Sequence, residues 1–376
     1  MSDKLLFTPG PLTTSQAVKQ KMLTDLGSRD KAFILAIREV REKLLALAGL
    51  SQQDGYEAIL MQGSGTFGIE SVVGSTVPRD GKLLVVINGA YGRRIAHMAE
   101  VLGIAVVRLE YDENHTPDSA DVEKTLLSDT DITNVFIVHC ETTTGILNPI
   151  DDVGKIVRRM GKTYCVDAMS SFGAIPIDLK AACIDFLVSS ANKCIEGVPG
   201  FSFILANRAS LKQTAGFARS LSFDLLAQWQ GLESNGQFRF TPPTHTILAF
   251  HEAIKELEAE GGVSGRGARY QANNQRLIDG MMSMGFEPYL DAGLQGYIIT
   301  SFYYPEDANF NFEQFYNTLS DKGFVIYPGK LTQADCFRIG NIGKIFEQDI
   351  QGLLQAIQDT LAEMQVTMPA ATSTVS

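Results

Sequence analysis

Seven short β-type runs, Glu57–Met61, Leu83–Ile87, Ala105–Leu109, Asn134–Val138, Thr163–Val166, Asp185–Val188 and Phe201–Leu205, are separated in many places by amphipathic helical patterns. A strand that is apolar along its whole length has both faces buried. Strands of that kind joined by helices imply a mostly parallel sheet sandwiched between helices, an α/β fold. Ligands of such sheets gather at the carboxyl ends of the strands. The residues that follow each run are therefore the place to look for chemistry.

The rest of the chain is organised around that unit. A Thr8-Pro9-Gly10-Pro11 turn precedes two helices, the second with Phe33, Ile34, Ile37, Val40, Leu44 and Leu45 at helical spacing. From about Thr244 the pattern changes to a long helix through Glu260, a break at Gly261 and Gly262, a further helix to about Met284, and then shorter pieces. This reads as a second, smaller C-terminal α/β domain, in keeping with a length of 376 residues. The expected division is a large domain over 16–255 and a small domain built from 1–15 and 256–366. The segment 367–376, poor in large apolar residues, is expected to be a disordered tail.

Composition narrows the function. A formal net charge of -11 argues against nucleic acid or an anionic membrane surface as partner. Any anionic substrate must then be held by local arginines or backbone dipoles. The five cysteines, Cys140, Cys165, Cys183, Cys194 and Cys336, are odd in number and form no Cys-x-x-Cys pair, which points away from a disulfide framework or a zinc site. His97, His115 and His251 suggest no metal cluster, and His139 and His245 read as hydrogen-bonding residues near the site. Pro9 and Pro11 interrupt the first apolar stretch, unlike a signal peptide, and no run approaches a membrane span. A cytoplasmic protein is expected.

Three motifs follow strands. Gly63-Ser64-Gly65-Thr66-Phe67-Gly68 opens a helix, where glycines let backbone N–H groups approach an anion. It matches a dinucleotide fingerprint, but the next strand ends in Asn88-Gly89-Ala90-Tyr91 instead of the acid that would hold a ribose. An aromatic ring there suits stacking on a flat heterocycle. Asp167 stands just beyond a buried strand, and Lys193 lies after another, followed by the flexible Gly197-Val198-Pro199-Gly200. Taken singly these are an ordinary turn, a helix cap and a surface charge. Taken together they ask for a phosphate, a flat ring with a basic nitrogen, and an aldehyde, and pyridoxal 5'-phosphate has all of these.

The chain resembles the class V aminotransferases of fold type I over nearly its whole length. The resemblance is carried by Leu6-Phe7-Thr8-Pro9-Gly10-Pro11, Gln62-Gly63-Ser64-Gly65, Asn88-Gly89-Ala90-Tyr91-Gly92, His139-Cys140-Glu141-Thr142-Thr143-Thr144-Gly145, Val166-Asp167-Ala168-Met169-Ser170-Ser171, Ser190-Ala191-Asn192-Lys193-Cys194, Thr241-Pro242-Pro243-Thr244-His245 and Cys336-Phe337-Arg338-Ile339-Gly340. It implies a pyridoxal-phosphate-dependent transferase with Lys193 as the Schiff-base lysine and Asp167 on the pyridinium nitrogen. Ser64, Gly65 and Thr66 would ligate the phosphate, Tyr91 would stack on the ring, and Thr142 would stand near the phenolic oxygen. Arg338 would clamp the substrate anion, with Arg94 a further candidate. Thr241 would reach the cofactor of a neighbouring subunit, so a homodimer is implied. Glyoxylate-using relatives stack a tryptophan where this chain has Tyr91, and its only Trp is Trp229. That moves the expected substrates away from those relatives, and the resemblance implies 2-aminoethylphosphonate as amino donor and pyruvate as acceptor. A serine or alanine:glyoxylate aminotransferase is the nearest alternative, and a nicotinamide oxidoreductase the alternative from another class.

Overall fold

The computed structural model describes residues 3–329, 331 and 334–369. Its main sheet has seven strands in the spatial order Tyr56–Gln62, Phe201–Asn207, Phe186–Ser190, Thr163–Asp167, Ile132–Val138, Lys82–Ile87 and Ala105–Glu110. Each expected strand is present, with ends shifted by a few residues. Six strands point the same way, and Phe201–Asn207 alone runs antiparallel to both of its neighbours. The reason is connection length. Only residues 191–200 join it to Phe186–Ser190, fewer than the dozen or more that a parallel crossover requires.

The central strands are buried throughout, as their unbroken apolar runs require. Leu83, Leu84, Val85, Val86 and Ile87 are each at most 1% exposed, and burying side chains of this size contributes about 1.5–3 kcal/mol apiece. Helix Lys31–Leu47 starts at Asp30, whose carboxylate accepts the Ala32 N–H at 2.8 Å. It turns Phe33, Ile37, Val40 and Leu44 inward and packs on helix Thr244–Ala259 and strand Tyr56–Gln62. Helix Gly65–Thr76 packs on Phe186–Ser190 and Phe201–Asn207. Among the described residues no helix is long and apolar enough to cross a membrane.

A second sheet is antiparallel, with Cys336–Gly340 between Ile299–Tyr303 and Tyr327–Pro328. Helices Gly262–Ser283, Phe312–Asp321 and Glu347–Glu363 accompany it. The apolar interior is correspondingly divided. One cluster draws on residues from Val18 to Leu257, and another on Phe7 and residues from Leu277 to Met364. A small third cluster, including Leu12, Cys140, Cys194 and Tyr270, joins them. Thr367 donates its N–H to Asp307 Oδ2 at 3.0 Å, so the chain keeps contacts past the expected start of the tail. Residues 370–376 of that tail lie outside the described residues.

The N-terminal segment crosses between the two units. Leu5–Leu6 pairs in parallel with Phe324–Val325, and Gly340 N–H donates to the Phe7 carbonyl at 3.0 Å. This leads the Thr8–Pro11 turn toward the carboxyl ends of the main sheet. A β-carbon on Gly340 would lie 2.5 Å from the Thr8 carbonyl oxygen. Gly340→Ala is therefore expected to lower stability by about 1–3 kcal/mol, as other overpacked substitutions do. The check is the urea midpoint, with an unchanged midpoint counting against this packing.

Candidate active site

At the end of strand Tyr56–Gln62 the chain turns at Gly63, whose φ of +98° suits glycine, and helix Gly65–Thr76 begins with Ser64 as its N-cap. The N–H groups of Phe67 and Gly68 are satisfied by the Ser64 carbonyl at 2.9 and 3.2 Å, while the Ser64 hydroxyl makes no capping bond. The Ser64 hydroxyl and the N–H groups of Gly65 and Thr66 are the groups of this turn that can serve an anion. Gly65 has a packing reason as well. A β-carbon there would lie 2.3 Å from Met169 Sδ, in the segment that follows Asp167.

Ser64, Gly65, Thr66, Tyr91, Arg94, Thr142, Asp167 and Lys193 line one cavity of about 340 Å³. Asp167 ends strand Thr163–Asp167, and the adjacent strand Phe186–Ser190, with Val188 opposite Asp167, leads into Lys193. Asp167 Oδ1 accepts the Met169 N–H at 2.8 Å. Burial lifts its carboxyl to about 7; the Met169 N–H opposes this, the charge of Glu141 adds to it, and Lys193 and Arg94 pull against it. Lys193 is pushed the other way, down to about 8, by burial, with Asp167 among the groups that limit the fall. Its Nζ donates to the Pro9 carbonyl at 2.6 Å. A lysine at about 8 carries an appreciable unprotonated fraction near neutral pH, which is the nucleophilic form. The Arg94 guanidinium lies 5.0 Å from the centroid of the Tyr91 ring.

Two expected residues stand outside the lining. Arg338, 1% exposed on strand Cys336–Gly340, donates from Nη1 to the Thr142 carbonyl at 2.7 Å and from Nε to the Pro328 carbonyl at 3.0 Å. It therefore sits behind Thr142, close enough for its charge to act on Lys193. Thr241 lines a different, more polar hollow with Arg29, Arg239 and Phe240, and the Gln62 side chain bonds its carbonyl. Of the two histidines expected near the site, His139 is buried against Ser171 Oγ at 2.9 Å, and burial lowers its pKa to about 4. His245 faces Asp25 instead, at 2.9 Å.

Sequence reasoning missed two residues. Pro9 was visible only as part of a turn, and no local pattern announces a bond across 184 positions. Glu141 was quoted within a motif without a role. It is fully buried at the start of helix Ala90–Val101, where its carboxylate accepts from the N–H groups of Tyr91 at 3.2 Å and Gly92 at 3.3 Å and from the Thr143 hydroxyl at 2.6 Å. It therefore occupies that helix terminus itself and fixes where Tyr91 emerges.

The raised Asp167 carboxyl has a consequence for stability. Unfolded, it releases its proton near the ordinary 3.8; folded and ligand-free, it does so near 7. The fold binds the extra proton, so stability falls as pH rises between those values. Asp167→Asn should therefore be more stable than the ligand-free parent at about pH 8, by on the order of a few kcal/mol, and the gain should fade toward about pH 4. Urea titrations at the two pH values measure it, and an equal gain at both would contradict the argument.

The family model described as aminotransferase class-V matches residues 14–323. A 2-aminoethylphosphonate--pyruvate transaminase of Klebsiella pneumoniae subsp. pneumoniae is 52% identical over 359 residues, covering 95% of this chain and 97% of its own. One of Bacillus mycoides is 53% identical over 354 residues, covering 94% and 96%. Among solved structures, the ureidoglycine-glyoxylate aminotransferase of Bacillus subtilis superposes with a TM-score of 0.89 at 23% identity, over 98% of this chain and 96% of its own. The pyridoxamine-pyruvate aminotransferase of Mesorhizobium loti gives 0.88 at 23% identity, over 97% and 94%. The fold, and a family match spanning most of the sequence, lead to one conclusion: this chain belongs to the class-V aminotransferase family.

Proposed function

We propose that the cavity holds pyridoxal 5'-phosphate and that the enzyme moves the amino group of 2-aminoethylphosphonate to pyruvate, giving phosphonoacetaldehyde and L-alanine. The observation that carries the reading is the convergence of Lys193, Asp167, Tyr91 and the helix start Ser64–Thr66 on one cavity. The residues fit the cofactor group by group. The helix start suits its phosphate, the Tyr91 ring its flat face, Asp167 its ring nitrogen, Thr142 its phenolic oxygen and Lys193 its aldehyde. A volume of about 340 Å³ also falls within the usual span for small-molecule sites, about 300–1,000 Å³. The substrates are those in the names of relatives at about half identity over nearly the whole chain.

When bound, the cofactor supplies an aldehyde for covalent attachment and a ring that holds the electron pair left when a substrate C–H bond breaks. Asp167 would hold the ring nitrogen, whose positive charge would offset the burial that lifts the carboxyl's pKa, and its carboxylate would favour the protonated nitrogen. Lys193 Nζ would take the proton from the amine-bearing carbon of the substrate and return it at the other end of the transfer, as base and then acid. Arg338 would hold the substrate anion from behind Thr142, with the part of its guanidinium not engaged by the Thr142 and Pro328 carbonyls. Its planar fork suits phosphonate in one half-reaction and carboxylate in the other, and a chain of net charge -11 needs such a local cation.

The same proposal includes a homodimer in which Thr241 serves the neighbouring site. It is supported by the position of Thr241 outside its own chain's cavity and by the exposed Phe67, Leu221 and Phe240 on segments linked to it. It also includes a cytoplasmic location, supported by five free cysteines, and the division into 16–255 and 1–15 with 256–366, supported by the separate apolar clusters.

Adding 2-aminoethylphosphonate to the yellow enzyme should convert it to the pyridoxamine form without an acceptor, and pyruvate should restore the colour. Borohydride reduction should place the adduct on Lys193, and Lys193→Ala should lose multiple turnover. An adduct on Lys162 or Lys180 would refute the assignment. Arg338→Ala should lower kcat/KM tens-fold or more in both half-reactions, in line with about 2–5 kcal/mol for a desolvated charge-assisted contact. Arg338→Lys should recover only part, because an ammonium cannot reproduce the fork. Loss for pyruvate alone would make Arg338 a carboxylate clamp and direct attention to Arg94.

A further inference from the structure

The turn that carries Lys193 is gripped by a buried ionic cluster that the mechanism above does not use. Glu196 is 2% exposed and Arg266 is 0% exposed. The Glu196 N–H donates to the Lys193 carbonyl at 2.7 Å, and Arg266 Nη1 donates to the Cys194 carbonyl at 2.6 Å. Glu196 Oε1 accepts from the Tyr270 hydroxyl at 2.6 Å and from Arg269 Nη2 at 2.7 Å, and lies 3.2 Å from Arg266 Nη1. Glu260 closes the outer side, accepting from Arg266 Nε at 2.7 Å and from Arg269 Nε at 2.6 Å. From the same cluster, Arg269 Nη1 donates to the carbonyls of Gly343 at 2.7 Å and Ile345 at 2.9 Å, and the Tyr270 hydroxyl accepts the Gly343 N–H at 3.0 Å. Those residues directly follow the strand that carries Arg338.

Two features separate this cluster from an ordinary stabilising network. Glu196 has a φ of +64°, a left-handed conformation that a residue bearing a β-carbon keeps only when its surroundings impose it. Glu196 Oε2 and Arg266 Nη2 are also buried without a hydrogen-bond partner in the protein. A buried ion pair that is only partly satisfied adds little net stability compared with apolar residues of the same volume. What it supplies is a fixed geometry.

We propose that Glu196 and Arg266 are positioning residues for Lys193, holding the 193–196 turn against helix Gly262–Ser283 so that Nζ enters the cavity within reach of the cofactor aldehyde. The inference rests on reading that cavity as a pyridoxal-phosphate site. Neither residue lines the cavity; both act through the peptide groups on either side of Cys194. Arg269 and Tyr270 hold residues 343–345 from the same cluster, so the lysine turn and the segment after Arg338 share one set of contacts.

The test compares two ligands of one cavity. Pyridoxal phosphate is captured covalently through Lys193, whereas pyridoxamine phosphate, which has no aldehyde, binds without it. Cofactor-free full-length parent, Glu196→Ala, Glu196→Gln and Arg266→Met would be compared at a temperature where circular dichroism shows each one folded. Covalent capture is followed by visible absorbance and pyridoxamine phosphate Kd by calorimetry. Glu196→Ala and Arg266→Met should slow capture by roughly tenfold or more, since misplacing a reacting group by an ångström costs up to about a hundredfold, while Kd changes less than about twofold. Glu196→Gln, which keeps an oxygen for Tyr270, should recover part of the rate, and it carries the comparison if the alanine variant does not fold. Capture and Kd worsening by the same factor, or neither changing, overturns the inference alone. A parent chain that captures no pyridoxal phosphate overturns the proposed function and this inference with it.

Discussion

The parallel pairing of Thr163–Asp167 with Phe186–Ser190 puts a carboxylate and, a few residues on, an ammonium at the same end of one sheet. Both are desolvated there, and each is shifted toward its neutral form, Asp167 to about 7 and Lys193 to about 8. Burying two such groups is unfavourable unless they find partners. Lys193 has the Pro9 carbonyl and Asp167 has one backbone N–H. A ligand with a basic ring nitrogen and an electrophilic carbon would satisfy both, and the rest of the site is arranged around that need.

Its parts come from distant stretches of chain. The helix beginning at Gly65 offers its N-terminus, while the comparable terminus of helix Ala90–Val101 is already filled by Glu141. One helix start is thereby left for an external anion, and the other is used to set Tyr91. The N-terminal turn reaches Lys193 because Leu5–Leu6 and Phe7 are tied to the smaller unit through Phe324–Val325 and Gly340. Arg338 arrives on that same unit and braces the Thr142 carbonyl. Contacts between the two units therefore reach residues that line the cavity.

Much of the fold was legible because continuous apolar runs leave a strand little choice but to be buried on both faces. The misjudged details have local causes. Asp185, expected to start a strand, instead uses its carboxylate to accept the Tyr164 N–H at 2.8 Å and the Ser210 hydroxyl at 2.5 Å, and the strand begins at Phe186. The reversal of Phe201–Asn207 follows from the short connection before it. His245, expected to hydrogen-bond near the site, turns to Asp25 on the surface. A motif identifies residue types in order, and it does not say which way a side chain faces.

By itself the sequence determined the α/β class, the strand ends at which chemistry collects, and the grouping of Ser64, Gly65, Thr66, Tyr91, Asp167 and Lys193. The class and the strand ends follow from periodicity and from turn chemistry between near neighbours, which the covalent chain carries directly, and the grouping from the chemistry of one shared ligand together with the family resemblance. The tertiary structure alone decided that Lys193 bonds Pro9, that Glu141 fills a helix terminus, that Glu196 and Arg266 grip the lysine turn, and that Arg338 lies behind Thr142. It also decided the ionisation of Asp167 and Lys193. These depend on contacts between residues far apart in sequence and on how much water is excluded around a charge, and both quantities exist only once the chain has packed.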